Sequence, residues 1–231
     1  MIFIRSFLFA LYFFLLTMVM GIIAFFIRFC AKKYALSYAQ LWTKLSLLGL
    51  KKICHISTKI IGQENLPQDT SFLIASQHQS AFDTLVWMNL LPRPAYIMKQ
   101  ELTRIPLVGP MLLLSGMIPL DRQGGIKALK TLIQECQKAV NDLRQIIIFP
   151  EGTRTNIGEK TKLHAGAIAI ANQLNLKIVP VSIDSGLYWP RNAFLKRPGI
   201  IHITIHPPIQ DTSNRKATLE AIERSWSSTE S

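Results

Sequence analysis

The sequence predicts an α/β fold, a layered mixed sheet flanked by helices and preceded by a hydrophobic helix and an amphipathic helix. Three observations lead there. From about residue 60, short apolar runs alternate with stretches of helical periodicity. Ahead of them, Ser6 to Ile27 is a 22-residue run without a charge. Between the two, Leu41, Trp42, Leu45 and Leu48 recur at helical spacing. The expected organisation is a membrane-associating front end over 1–58, a main domain over 59–210 and a polar C-terminal helix and tail over 211–231.

The front end is distinguished first by charge. The chain carries 26 basic and 14 acidic residues, a formal +12, yet residues 1–63 hold eight of the basic ones and no Asp or Glu. Eight of the twelve Phe also fall within residues 1–30. A basic, Phe-rich, acid-free segment suits an anionic bilayer surface. A nucleic-acid binder would place its excess charge on a polar groove or helix, so no nucleic-acid partner is expected. With 17% charged and 49% hydrophobic residues, the composition also excludes a disordered tail, a disulfide scaffold and a charged coiled coil.

As a helix, Ser6–Ile27 would be about 33 Å long, enough to cross a hydrocarbon core of about 30 Å. A secretory signal is the competing reading, but its apolar stretch should be only about 7–15 residues. No small-residue cleavage site precedes the Arg28–Lys33 cluster either. Behind it, Leu41, Trp42, Leu45 and Leu48 form one face while Lys44, Lys51 and Lys52 are expected in another sector. That pattern suits a helix lying in the headgroup layer, and equally a surface helix packed on the domain. Arg28, Lys32, Lys33 and Lys44 outnumber Arg5 and the terminal amine, so the positive-inside rule leaves the chain after residue 28 on the cytoplasmic face of an inner membrane. A re-entrant hairpin of both helices satisfies the same charges. Cys30, Cys54 and Cys136 are widely spaced, with no metal-like pair, and fit a reducing compartment.

In the main domain, strands are expected at Ser71–Ala75, Ala95–Met98, Ile146–Phe149, Ile178–Ile183 and Ile200–Ile205. Helices are expected near Ser80–Leu91, Ile126–Leu143 and His164–Leu174, with Ile126, Leu129, Leu132, Ile133 and Cys136 tracing one face of the second. Ile201, Ile203 and Ile205 alternate with His202, Thr204 and His206, the period of a strand with one apolar face. His202 and His206 have no carboxylate pattern beside them and are read as strand-face residues rather than metal ligands. A weak helix through Leu219, Ile222 and Trp226 precedes the tail.

Three clusters could carry chemistry. The first is Gln77-His78-Gln79-Ser80-Ala81-Phe82-Asp83, after the strand-like SFLIAS. On one continuous helix His78 and Asp83 would stand about 140° apart. They meet only if His78 lies on the turn before a helix and Asp83 on its first turn, with Ser80 as a natural N-cap. A carboxylate on one imidazole nitrogen leaves the other free as a base; the plainer reading is a helix cap beside a loop histidine. The second is Phe149-Pro150-Glu151-Gly152-Thr153-Arg154-Thr155. A strand end followed by backbone N–H groups, hydroxyls and a guanidinium offers what a phosphate monoester needs, although a simple turn would also use Gly152. The third pairs Lys99-Gln100-Glu101-Leu102, with Ile105, Pro106 and Gly109, and Gly116-Met117-Ile118-Pro119-Leu120-Asp121-Arg122. Lys99 and Arg122 each follow an apolar run and could converge on one anion; singly, each reads as a solvated surface charge.

Together the motifs HxxxxD, KxELxxIPxxG, GxIPLDR and FPEGTRT, followed by Val179-Pro180-Val181, resemble the glycerolipid acyltransferases. The resemblance is strongest to the bacterial 1-acyl-sn-glycerol-3-phosphate (lysophosphatidic acid) acyltransferases and covers roughly Leu66 to Ile209. One departure is Gln77, where the family more often carries Asn. Neither amide is expected to make bonds in the chemistry.

The resemblance implies that His78, oriented by Asp83, takes the proton from the sn-2 hydroxyl of lysophosphatidic acid. The oxygen then attacks an acyl thioester, giving phosphatidic acid without a covalent enzyme intermediate. By the same resemblance Glu151, Gly152, Thr153 and Arg154 belong to the acceptor-phosphate site, with Lys99 and Arg122 as additional cations. The donor would be an acyl carrier protein or coenzyme A thioester acting as co-substrate; no cofactor and no metal are implied. The stretch from Ile105 to Met117 and the front helices are the candidates for housing the acyl chain. Other readings are transfer to another lyso-lipid such as a lyso-aminolipid, a lipid ester hydrolase that activates water with His78 and Asp83, and a non-catalytic membrane-surface protein.

Overall fold

The computed structural model describes residues 1–106, 108–159 and 161–227. The end of the expected polar tail, 228–231, lies outside the described residues. The helices are α1 (Ile2–Cys30), α2 (Ala35–Cys54), α3 (Asp83–Leu90), α4 (Val108–Leu114), α5 (Gly125–Asn141), α6 (Gly166–Leu174), α7 (Ser185–Tyr188) and α8 (Arg215–Ser227). The strands are β1 (Ile56–Ile61), β2 (Leu73–Ser76), β3 (Pro94–Lys99), β4 (Ile118–Leu120), β5 (Gln145–Ile148), β6 (Ile178–Ile183) and β7 (Gly199–Ile205). Among them they form one seven-stranded mixed sheet in the order β1-β7-β6-β2-β5-β3-β4, parallel at every pairing except β6 with β7.

Residue choice explains the layers. Strands β2, β5 and β6 are buried along their whole length, as central strands covered on both faces are. One face packs Ile74, Ile147, Val181 and Ile203 against Leu50, Phe82 and Trp87 of the helices. The other packs Leu73, Ile146 and Ile178 against Leu132, Ile168 and Ile222. Each fully buried aliphatic side chain contributes about 1.5–3 kcal/mol over exposure.

Several expectations need correction. Strand β1 was not expected; half of its residues are polar (Ser57, Thr58, Lys59), and it pairs in parallel with β7 from Ile56↔Gly199 to Ile61↔Thr204. It straddles the boundary drawn between residues 58 and 59. The apolar face of α5 starts later than its periodicity suggests: Ile126 is 90% exposed, and burial begins at Leu132. In α2 the lysines do not occupy a separate sector. Leu41, Lys44, Leu48, Lys51 and Lys52 are all exposed and follow one another at helical spacing along one side. The buried residues of α2 are instead Ala35, Thr43, Ser46, Gly49, Leu50 and Cys54; Thr43 Oγ1 pairs with Asn89 of α3, and Gly49 lets another helix approach closely.

That other helix is α1, which runs antiparallel to α2. Hydrogen bonds mark the pairing: Tyr12 Oη to the Leu45 carbonyl (2.9 Å), Trp42 Nε1 to Thr17 Oγ1 (3.1 Å) and Tyr38 Oη to the Met20 carbonyl (2.9 Å). Both ends of α1 also rest on the main domain. Phe9 meets Trp189 edge-on near the start, and Ala24 packs with Met111 of α4 near the end. The outer face is left apolar, with Phe3, Phe7, Phe14 and Phe26 each more than half exposed. By length and composition α1 could cross a bilayer, and only 11% of its most apolar stretch is buried in the protein, unlike the core helix of a soluble domain.

A Cβ added at Gly49 would lie 2.2 Å from Tyr12 Cε1. Gly49→Ala should therefore push Tyr12 off α2 and lower stability by about 1–3 kcal/mol, read as a lower Tm or denaturant midpoint. An unchanged midpoint would mean that the hairpin tolerates a wider spacing.

Candidate active site

Strands β2, β3, β4 and β5 are mutually parallel neighbours, so the loops leaving their ends emerge at one sheet edge. These are the loops that carry His78, Lys99, Arg122 and Glu151–Arg154. Ligands of open α/β sheets bind outside such carboxyl ends.

The centre of the edge is a fully buried carboxylate. Asp83, first residue of α3, places Oδ2 3.0 Å from His78 Nδ1. The same oxygen accepts the backbone N–H groups of Gln79 (2.7 Å) and Ser80 (2.8 Å). Oδ1 accepts the hydroxyl of Ser185 at 2.6 Å. Because a carboxylate is acceptor-only, Nδ1 carries the proton and Nε2 is left with a free lone pair. The imidazole stacks on Phe149, with ring centroids 4.0 Å apart. The helix starts later than the expected Ser80 cap: Phe82 is the cap residue, and Ser80 Oγ accepts the Phe82 N–H inside the loop. Asp83 draws the two preceding N–H groups to itself, which holds them off the helical path.

Glu151, expected on the phosphate site, faces inward. It is 6% exposed, and Oε1 accepts the His78 backbone N–H at 2.9 Å while Oε2 finds no protein partner among the described residues. The Thr155 N–H donates to the His78 carbonyl at 2.8 Å, so the Glu151–Thr155 loop grips both sides of the His78 peptide. Burial pushes the Glu151 carboxyl up to about 7. Behind it lies a cavity of about 450 Å³ bordered by Gln77, Thr155, Leu163 and Trp226, with the acids Glu151, Glu159 and Glu223 against Lys162. Its charge disfavours a phosphate.

The outer side of the same turn has the opposite character. Gly152 sits at φ +71, and a Cβ there would meet the His164 ring at 2.9 Å, so glycine is required. Arg122, just past β4, donates from Nη1 to the Gly152 carbonyl. Arg154 is half-buried, and Thr153 and Lys99 are exposed. Among the described residues no hydrogen bond or ion pair ties Lys99, Thr153 or Arg154 to the His78 group; they share its edge only.

Ser185 was missed by sequence reading, as were the anchoring roles of the two glutamines. Ser185 stands 102 positions from Asp83 and belongs to no local motif. Gln77 Oε1 accepts the Ile183 N–H at 3.0 Å and Gln79 Oε1 the Gly186 N–H at 3.1 Å, clamping the loop after β6 onto the His78 loop. His202 also needs correction. Its Nδ1 pairs with Asp184 Oδ2 at 2.9 Å, a carboxylate that β6 delivers from a distance. Among the described residues no group of three or more His, Cys, Asp or Glu could hold a metal ion.

An imidazole held by a buried carboxylate at the carboxyl edge of a parallel sheet has the geometry that a general base requires. Over residues 57–184 the chain matches the model of the family described as Acyltransferase, and it belongs to that family. It is 30% identical over 168 residues to the 1-acyl-sn-glycerol-3-phosphate acyltransferase of Pseudomonas aeruginosa, covering 73% of this chain and 65% of that one. The corresponding yeast (Saccharomyces cerevisiae) protein is 32% identical over 165 residues, 69% of this chain and 54% of its own. The chain thus spans about half to two-thirds of the length of the curated relatives it matches. The crystal structure of the Thermotoga maritima 1-acyl-sn-glycerophosphate acyltransferase PlsC superposes with a TM-score of 0.79 at 26% identity, covering 97% of this chain and 94% of that one.

Two outcomes follow from the positioning contacts. Glu151 has a folded pKa near 7, above its usual 4.5. Its contribution to stability is therefore complete below about pH 4.5 and lost as pH rises through about 7, on the order of 3 kcal/mol in all. Glu151→Gln should flatten that part of the stability–pH profile while keeping an acceptor for the His78 N–H. Glu151→Ala strands this N–H and should cost about 1–3 kcal/mol; a Gln variant with the wild-type pH slope would contradict the assignment. Ser185→Ala should lower kcat about tenfold, the worth of one hydrogen bond to a charged group, with acceptor KM little changed and partial recovery in Ser185→Thr. A purely structural Ser185 would lower stability without that split.

Proposed function

We propose that the chain transfers a fatty acyl group from an acyl carrier protein or coenzyme A thioester to the sn-2 hydroxyl of lysophosphatidic acid, forming phosphatidic acid. His78 Nε2 accepts the hydroxyl proton while Asp83 holds Nδ1–H. The alkoxide oxygen attacks the thioester carbonyl, the tetrahedral intermediate collapses with C–S cleavage, and the proton on Nε2 passes to the departing thiolate sulfur. General-base assistance of this kind contributes about 10²–10⁴ in rate. The acceptor phosphate meets the outer side of the Gly152-Thr153-Arg154 turn, with Arg122 and Lys99 as further cations; Glu151 acts behind His78 as a positioning residue.

The observation that supports this reading best is adjacency. The His78 peptide is bonded to Glu151 and Thr155, so the base and the Gly152–Arg154 turn belong to one rigid unit on one edge. A hydrolase with a serine nucleophile is disfavoured because Ser185, the hydroxyl bonded to Asp83, is fully buried on the side away from the imidazole.

The front hairpin fits work at a bilayer of which the acceptor is a component. With both ends of α1 resting on the domain, the hairpin lies along the membrane and dips its apolar face into the interface rather than standing across it. The catalytic domain then faces the cytoplasm from an inner membrane.

The test is a matrix of carrier-protein and coenzyme A donors against lysophosphatidic acid, glycerol 3-phosphate and a lyso-aminolipid, with product masses recorded. Phosphatidic acid should form only when thioester and lysophosphatidic acid are both present. Fatty acid released at a similar rate without acceptor would overturn the proposal. His78→Ala should lower kcat at least about 10²-fold, and Arg154→Ala should raise acceptor KM about tenfold or more with donor KM nearly unchanged.

A further inference from the structure

The chain has two long acid-free stretches, residues 1–63 and 185–210, and the fold brings them together. Lys196 is the joint. The residue is only 5% exposed, yet its ammonium lies 4.8 Å from the Trp189 ring, 5.5 Å from Phe194 and 5.6 Å from Phe9 of α1. Its Nζ donates to the Phe194 carbonyl at 2.7 Å, and its backbone N–H donates to Ser6 Oγ of α1 at 2.9 Å. The three ring faces attract the enclosed ammonium, and Lys196 ties the segment after α7 to the first turns of α1.

The locked segment presents an amphipathic outer surface. Leu187, Phe194 and Leu195 are each nearly half exposed, and the Phe194 ring lies 5.5 Å from Phe3, whose neighbours Ile4 and Phe7 are exposed too. Arg191, within the segment, and Arg197, at its end, are both exposed. Because β6 is parallel to β2, the chain after β6 leaves at the same edge as the His78 loop. The apolar face of α1 therefore continues towards the catalytic edge through a patch of aromatic, aliphatic and basic residues without a carboxylate, the composition of a bilayer interface.

We propose that Leu187–Arg197 is a second bilayer-contact element, in which Phe194 and Leu195 enter the headgroup–acyl boundary beside the start of α1 while Arg191 and Arg197 bind anionic lipid phosphates. This rests on the membrane reading of α1 and adds to it. One helical hairpin can roll about its long axis on a membrane; a second contact off that axis fixes the roll and turns the His78 edge towards the lipid.

The test uses flotation of the full chain with vesicles of phosphatidylcholine, with or without phosphatidylglycerol. The double variant Arg191→Gln/Arg197→Gln should bind the anionic vesicles about 25-fold more weakly, roughly fivefold per arginine, and the neutral ones unchanged. Phe194→Ser/Leu195→Ser should weaken binding to both about tenfold. A readout independent of lost binding uses Leu195→Cys in a Cys30→Ser background, since Cys54 and Cys136 are buried. A fluorophore at residue 195 should shift to the blue on vesicles and be quenched by nitroxide lipids. The same label at Lys216→Cys, on α8 across the sheet from α1, should not respond. If the wild-type chain floats but the label at 195 responds no more than that at 216, the second contact is wrong and the hairpin reading stands. If the wild-type chain does not float, both fall.

Discussion

The buried Asp83 carboxylate is the group on which the rest of the site depends. It sits in the protein interior and collects four donors: the His78 imidazole, the Gln79 and Ser80 N–H groups, and the Ser185 hydroxyl. Burial of a charged group is tolerated only with such compensation. Each donor comes at a structural cost, since two residues before α3 are held out of helical geometry and the loop after β6 must be drawn across the sheet edge. The return is an imidazole whose tautomer and orientation are set before any substrate arrives.

The sheet does the remaining work of assembly. Four parallel strands deliver four loops to one edge, and the turn after β5 has two sides of different character. Inward, Glu151 and Thr155 hold the backbone of His78; outward, Arg122 bonds the Gly152 carbonyl, Thr153 is exposed and Arg154 is half-buried. A buried carboxylate and the Arg154 guanidinium can sit on the same turn because burial pushes the Glu151 acid towards its neutral form.

Much of this was legible in the chain and some of it was not, for physical reasons. His78 and Asp83 could be paired from spacing, because a turn followed by a helix start is local geometry. The strands with continuous branched apolar residues, such as Ile178–Ile183, announce themselves by burial on both faces. Ser185 and Asp184 were invisible because each reaches its partner through strand order, which no local pattern encodes. Strand β1 was hidden because, at the sheet edge, Ser57-Thr58-Lys59 interrupts its isoleucines and leaves neither an apolar run nor a strict alternation. Glu151 shows the opposite failure: its motif was recognised, but a motif specifies neighbours along the chain and not which way a side chain turns. In α2, leucines at helical spacing suited a headgroup-layer helix or one packed on the domain equally, and nothing in that spacing marked Gly49 as the point where Tyr12 of α1 comes close.

The central claim is that the base and the anion turn act on one molecule at one edge. A structure determined with lysophosphatidic acid and no thioester donor tests it directly, because the acceptor alone cannot react. The account predicts its phosphate against the outer side of Gly152–Arg154 and its sn-2 oxygen within about 3.2 Å of His78 Nε2. A head group lodged in the cavity behind Glu151, or a phosphate in the turn with the hydroxyl pointing away from His78, would contradict it.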